Sequence, residues 1–387
     1  MPSPRVVRPA EGLARPGVAP AARAPGPHRE RRGAEFAYLS TRAPTSRTRA
    51  PAATAPRTAS LDPSLGAVVV ASALLHYADG EDAALDRPAH VRAASSLALV
   101  PGGLALMQDD TSFVALVAAD GTVARAIPLP AGEGGRRQFD DRRGNKRHKL
   151  DLESCVAVPD EGGTLLVALG SGSTPHREHI ALVRGWEAGL VAVTMVHAGA
   201  LYAALRAEPA FAGSELNVEG AVHVGACLRL FGRGNGAPRE GVRPANATCD
   251  LDWRALRAYL LAPDLVAPPA PTAVEPYELG ALDGIPLGFT DAAAWGDSVL
   301  YSATAEDSPD AVRDGRVAGS AVGVVAPTGR ARWAPLTRAD GGLFAGKVEG
   351  LVPAPGDENR LLAVVDADDP DAPSLLCTVE LRGPWRG

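Results

Sequence analysis

The sequence predicts an all-β fold, a β-propeller of five or six blades. Three observations carry that reading. First, an imperfect hairpin recurs as ASSLALVPGGLALMQDD (94–110), DLESCVAVPDEGGTLLVALGSGS (151–173), NVEGAVHVGACLRLFGRGN (217–235), FTDAAAWGDSVLYSATAED (289–307) and KVEGLVPAPGDENRLLAVVDADD (347–369). Second, 42 glycines and 34 prolines favour turns and short strands over long helices. Third, the apolar strand GAVVVASALLHY (66–77) has no local hairpin partner and is free to complete the last copy, which ends soon after its third strand. Repeated β units of this kind point to radial repetition.

Taken in order, residues 1–65 are rich in Arg, Pro and Ala and show no apolar period, so a disordered segment is expected there. The propeller is expected over 66–387. Residues 1–60 carry eleven arginines against three glutamates, within a chain of net charge −6, so the body is acidic. An acidic body suits a hard cation better than a phosphate backbone, and no nucleic-acid partner is expected. The basic loop 133–149 reads as a solvated connection rather than a nucleic-acid patch. ALYAALRAEPAFAG (200–213) has a helical pattern and is placed between blades, and APTAVEPYELG (270–280) is a Pro-rich excursion. The four cysteines show no metal-ligand spacing and read as small buried hydrophobes. With no apolar run near the ~20 residues of a membrane span and no secretion-signal pattern, a soluble, cytoplasmic protein without a membrane partner is expected.

The polar residues that open the first strand of each copy are aligned as Ser95, Glu153, Glu219, Asp291 and Glu349, roughly 58–72 residues apart. The start of each innermost propeller strand faces one axis, so these side chains are expected to converge. Carboxylates gathered there repel unless a cation neutralises them. Glu153, Glu219, Glu349 and Asn217 are therefore the candidate metal ligands, and oxygen donors favour Ca2+. Asp291 and Asp366 are candidate general bases, and Lys149, Lys347, Arg177 and Arg233 candidate substrate-binding cations; Lys149 and Lys347 have the alternative role of balancing charge without metal. The acidic pairs after the second strands, Asp109–Asp110 among them, read as solvated turns. His176 and His179 form one HxxH pair in a loop, with no helix to bring them together as metal ligands. GSGS (170–173) lacks the GK[ST] of a nucleotide loop.

At its Glu-Gly hairpins, VEG at 218–220 and 348–350, the chain resembles an uncharacterised bacterial propeller family over most of 80–385. More distantly it is similar to the esterase-like phytase and gluconolactonase/senescence-marker families. The latter resemblance implies a channel metal held by blade-start glutamates, here Glu153, Glu219 and Glu349, although Ser154 rather than glycine follows Glu153. The expected function is a metal-dependent hydrolase of an ester, lactone or phosphoester acting on a small molecule; the alternative is a non-catalytic propeller that binds a small ligand or a protein.

Overall fold

The computed structural model describes residues 55–386, apart from 119, 120, 122, 309, 311, 312 and 314. It is all-β, with three short α-helices and three 3-10 turns among the described residues. Four consecutive antiparallel strands form each unit. The first unit is Ala94–Val100, Gly103–Gln108, Phe113–Val117 and Val123–Pro128. The second is Leu152–Asp160, Gly163–Gly170, His179–Arg184 and Ala192–His197. The third is Val218–Val224, Cys227–Gly232, Asn246–Asp252 and Thr272–Glu278. The fourth is Ile285–Trp295, Ser298–Asp307, Arg316–Val325 and Ala331–Arg338.

The fifth unit has only three strands from its own stretch of sequence, Lys347–Pro353, Arg360–Asp366 and Leu375–Arg382. Its fourth is Gly66–Leu74, which runs antiparallel to Leu375–Arg382 along its whole length. A short parallel pairing, Leu336–Arg338 with Ala67–Val69, joins the fourth and fifth units into one sheet. The apolar strand without a local partner thus finds one at the far end of the chain.

Each unit's first strand packs against that of the next, and the fifth against the first. Apolar layers fill the spaces between them. Leu152, Leu166 and Ala168 meet Ala105, Met107 and Val114 between the first and second units. Phe231, Phe289 and Tyr301 stack edge-to-face between the third and fourth. Alternation along each strand places one row of side chains in each layer. Turn glycines set the hairpins: Gly103 has φ 145°, and a Cβ there would lie 2.1 Å from the Val117 carbonyl oxygen.

Several expectations need correction. Of the segment expected to be disordered, residues 1–54 lie outside the described residues, but Arg57–Thr58 and Ser60–Leu61 are short parallel strands on the third and fourth units. Thr272–Glu278 is the outer strand of the third unit, not an excursion; an outer position tolerates Pro276. The loop 133–149 buries Gln138, Phe139, Asp140 and Lys149. Helix Trp253–Leu261 was not anticipated; Asp252 caps it by accepting from the Ala255 N–H at 2.8 Å. The helices Gly199–Arg206 and Pro209–Ala212 fall where the pattern placed them. The cysteines are free, with Cys155, Cys249 and Cys377 buried. No described helix is long and apolar enough to cross a membrane.

Candidate functional site

One feature of the first strands decides the geometry of the site. Each breaks its pairing register once, at Ser95, Glu153, Glu219, Thr290 and Glu349. The skipped residue is the extra one of a β-bulge, which re-aims its side chain. Two residues earlier stand Ala93, Asp151, Asn217, Gly288 and Lys347, and across the hairpin from these stand Asp109, Ser171, Arg233, Thr304 and Asp366. The fourth unit therefore contributes Thr290, not Asp291, to the row of glutamates. A one-residue slip turns a strand side chain to the other side.

The charged members of these rows line a single small cavity. Seven carboxylates (Asp109, Asp151, Glu153, Glu219, Glu306, Glu349 and Asp366) face five cations (Lys149, Arg177, Arg233, Arg313 and Lys347). A wider acidic mouth of about 300 Å3 adjoins it, sharing Asp109, Lys149, Lys347 and Asp366 and adding Asp110, Asp140 and Asp368.

Two ion-pair networks organise the cavity. In one, Lys149 Nζ lies 2.5 Å from Asp109 and 2.6 Å from Asp151, while Arg177 lies 2.9 Å from Asp151 and Ser171 Oγ donates to it. In the other, Arg233 reaches Glu306 at 2.5 Å, Glu219 at 3.5 Å and Glu349 at 3.9 Å; Lys347 lies 3.1 Å from Glu349 and 3.2 Å from Asp368. Asn217 Nδ2 donates to Glu219 at 2.6 Å. Each of the four cations expected to meet substrate is thus paired within the protein.

The networks leave two carboxyl groups without a partner. Glu153 and Asp366 make no hydrogen bond or ion pair with any described residue. Burial pushes Glu153 well above the ordinary carboxylate range, and Asp151, Asp109 and Glu219 add to the shift. Burial likewise raises Asp366 well above its ordinary value, opposed by Lys347 and reinforced by Asp368 and Asp109. Burial pushes Glu219 up to about 8 despite Arg233. Burial works against the charge of Lys149, yet Asp109, Asp151 and Glu153 raise its pKa well above that of a free lysine. Burial alone would raise Asp151; Lys149 and Arg177 outweigh it and hold this carboxyl below its usual value.

Asp109, Asp151 and Glu153 each bring a carboxylate oxygen within 4.8 Å of the others, a group able to hold a metal ion. Of the expected ligands Glu153, Glu219, Glu349 and Asn217, only Glu153 belongs to it; the other three line the same cavity within the Arg233–Lys347 network. Asp109 was read as a solvated turn. Its true signal is its register, the same as that of Asp366.

Asp291 is the expected residue that does not reach the cavity. It is 1% exposed, accepts from the Leu351 N–H at 3.0 Å and meets Ser96 Oγ at 3.5 Å. Burial raises its carboxyl well above the ordinary range. It stands in a row with Ser96, Ser154, Gly220 and Gly350, each following a bulge. The row is tightly packed: a Cβ on Gly350 would lie 2.9 Å from Ser96 Cα, and one on Gly220 3.0 Å from Ala292 N. Beyond it opens an apolar cavity of about 190 Å3 lined by Leu97, Val156, Val222, Ala293 and Val352, which shares no residue with the charged one.

A family model described as a family of unknown function (DUF6929) matches residues 90–381. No curated protein matches the chain. Among solved structures, a glutaminyl cyclase from Myxococcus xanthus is similar with TM-score 0.40 and 9% identity, over 84% of this chain and 99% of that one. A glycosyl hydrolase from Bacteroides ovatus gives 0.34 and 9%, over 82% and 91%. Cobalt-substituted Synechocystis ACO gives 0.27 and 11%, over 73% and 71%. None of these likenesses is strong enough to carry over a fold or an activity. The more distant resemblance to esterase-like phytases and gluconolactonases finds no support in them.

Proposed function

The chain belongs to that family of unknown function, and we propose that it is a five-bladed β-propeller, closed by Gly66–Leu74, whose axial cavity is a metal-assisted hydrolytic site for a small molecule. The cyclic packing of the first strands supports the architecture. The observation that carries the functional reading is the Asp109–Asp151–Glu153 cluster, with Glu153 left unpartnered beside two carboxylates whose positions are already fixed.

The donor set fits a hard cation. All three donors are carboxylates, and each oxygen offers more than one lone pair, so Lys149 does not exhaust Asp109 and Asp151. Calcium is the best match to an all-oxygen set that also takes water. Bound there, it would supply Lewis acidity to the scissile oxygen and to a water. The protein's own residues do the rest. Lys149 and Arg177 hold Asp151 in place. Asp366, more basic than a free aspartate, accepts the proton of the attacking water. Arg233 and Lys347 hold Glu219 and Glu349 in place, and set the charge of the well. The reaction class is hydrolysis of an ester, lactone or phosphoester bond.

A second reading has its own support. Lys149, Arg177, Arg233 and Lys347 already compensate most of the carboxylates, which makes a preorganised well for a small ligand without catalysis. Calorimetric titration with CaCl2 separates the two, followed by a hydrolysis screen of lactones, aryl esters and phosphate esters in calcium. Metal at a hundredfold excess over its Kd would stabilise the fold by about 2.7 kcal/mol. The hydrolytic reading expects calcium binding and turnover that Glu153→Gln lowers together, binding by at least about tenfold. No heat of binding and no chelator effect on melting would leave only the ligand-binding well.

A further inference from the structure

We infer that the second unit carries a separate transition-metal site on its outer edge, seated on His179 and His197. The site is independent of the axial cavity and uses nitrogen donors.

The two histidines are directly opposed on neighbouring antiparallel strands, with His179 paired to His197 in the register. Opposed residues of such a pair keep their Cβ atoms ~5 Å apart. Their rings meet edge-to-face with centroids 5.1 Å apart. The ladder continues to His176 at 5.9 Å and from there to His148 at 5.8 Å. Four of the chain's eight histidines therefore stand in one line.

The hydrogen bonds fix which nitrogens are available. His179 Nδ1 lies 2.9 Å from the His176 carbonyl, which can only accept, so Nδ1 carries the proton and Nε2 keeps its lone pair. A ring nitrogen oriented by a backbone carbonyl is the usual second partner of a metal-bound imidazole. His176 Nε2 likewise donates to the His148 carbonyl at 2.8 Å and leaves Nδ1 bare. His197 makes no hydrogen bond through its ring among the described residues.

At Gly199 a Cβ would lie 2.9 Å from His197 Cε1 and 3.1 Å from Glu178 Oε2. Only glycine fits against both groups at this position. Two imidazoles, with water to complete the shell, suit Cu2+ above Zn2+ in the usual order of divalent affinities. The turn Pro175–Arg177 ends two residues before His179 and carries Arg177 to Asp151.

The test is calorimetric titration of the full chain with CuCl2 and ZnCl2, joined to electron paramagnetic resonance of the copper-loaded protein. Wild type is expected to take up copper with hyperfine splitting from two imidazole nitrogens. His179→Ala and His197→Ala should each weaken copper binding by at least about tenfold, while His76→Ala, an exposed histidine elsewhere, should leave it unchanged. Copper bound without nitrogen splitting, or with undiminished affinity in both ladder variants, would place the ion on carboxylates and overturn the proposal. Circular dichroism of each variant confirms that the fold is kept.

Discussion

Removing the guanidinium of Arg233 should unbalance the charged well more than any other single change. Arg233 is 4% exposed and serves Glu306, Glu219 and Glu349 at 2.5, 3.5 and 3.9 Å. Arg233→Met keeps most of the stem's volume but takes the guanidinium from the buried Glu306 and Glu349, which keep Lys347 at 3.9 and 3.1 Å, while Glu219, with its pKa near 8, is already largely protonated at pH 7. Breaking a buried ion pair from one side costs about 3–5 kcal/mol. At about 2–4 °C per kcal/mol for a domain of this class, the melting temperature should fall by roughly 10 °C at pH 7. Arg233→Lys, which keeps the charge but not the fork, should recover part of the loss. The loss should shrink as pH falls towards 5, because the orphaned carboxyls then take up protons and lose their charge. Calorimetric melting of the three proteins at pH 5, 6, 7 and 8 measures this. A Met variant within 1 kcal/mol of wild type at pH 7, or a deficit that grows in acid, would refute the account of Arg233 as the shared counter-ion.

Other expectations follow from the same geometry. Glu219, with its folded pKa near 8 against an ordinary value of 4.5, contributes stability that is full below about 4.5 and lost as pH rises through 8. In chelator, the urea midpoint should therefore decline over that window, and Glu219→Gln should flatten the decline. Gly350→Ala places a Cβ 2.7–2.9 Å from Leu97, Val364 and Ser96, and should cost about 1–3 kcal/mol by overpacking, read as a lower urea midpoint. Asp291→Asn keeps an acceptor for the Leu351 N–H and should leave both stability and calcium binding within a factor of two or so of wild type by calorimetry, whereas Asp291→Ala should lose about 1–3 kcal/mol.

Much of this was legible in the sequence, and the exceptions have physical reasons. The hairpin repeat is written in apolar spacing, so the units and the far-travelling strand Gly66–Leu74 follow from pattern alone. Nine of the ten residues singled out for the site line one cavity, because equivalent strand starts face a common space. Asp291 failed because a bulge has no composition of its own: FTD offers two adjacent polar residues, and only pairing shows that Thr290 is the skipped one. A small residue after each bulge, Ser96, Ser154, Gly220 and Gly350, was the available hint, and Asp291 breaks it. The ion pairs of Arg177 and Arg233 were out of reach for a different reason. Sequence shows that a cation is near, but not that carboxylates from other units have already claimed it. The strand Thr272–Glu278 was hidden by Pro276, which stands just before the two residues that pair with Arg57–Thr58.

The packed row of Ser96, Ser154, Gly220, Asp291 and Gly350 makes the charged well a cul-de-sac. The well opens past Asp110 and Asp368 on one side and beside Gly236 and Asp307 on another, and both openings lie on the same side of the row. A long ligand cannot thread through the row to the far side, so whatever part of it is not held in the well stays in solvent on the near side. The apolar hollow on the far side can evolve separately, since nothing that happens there is visible from the well.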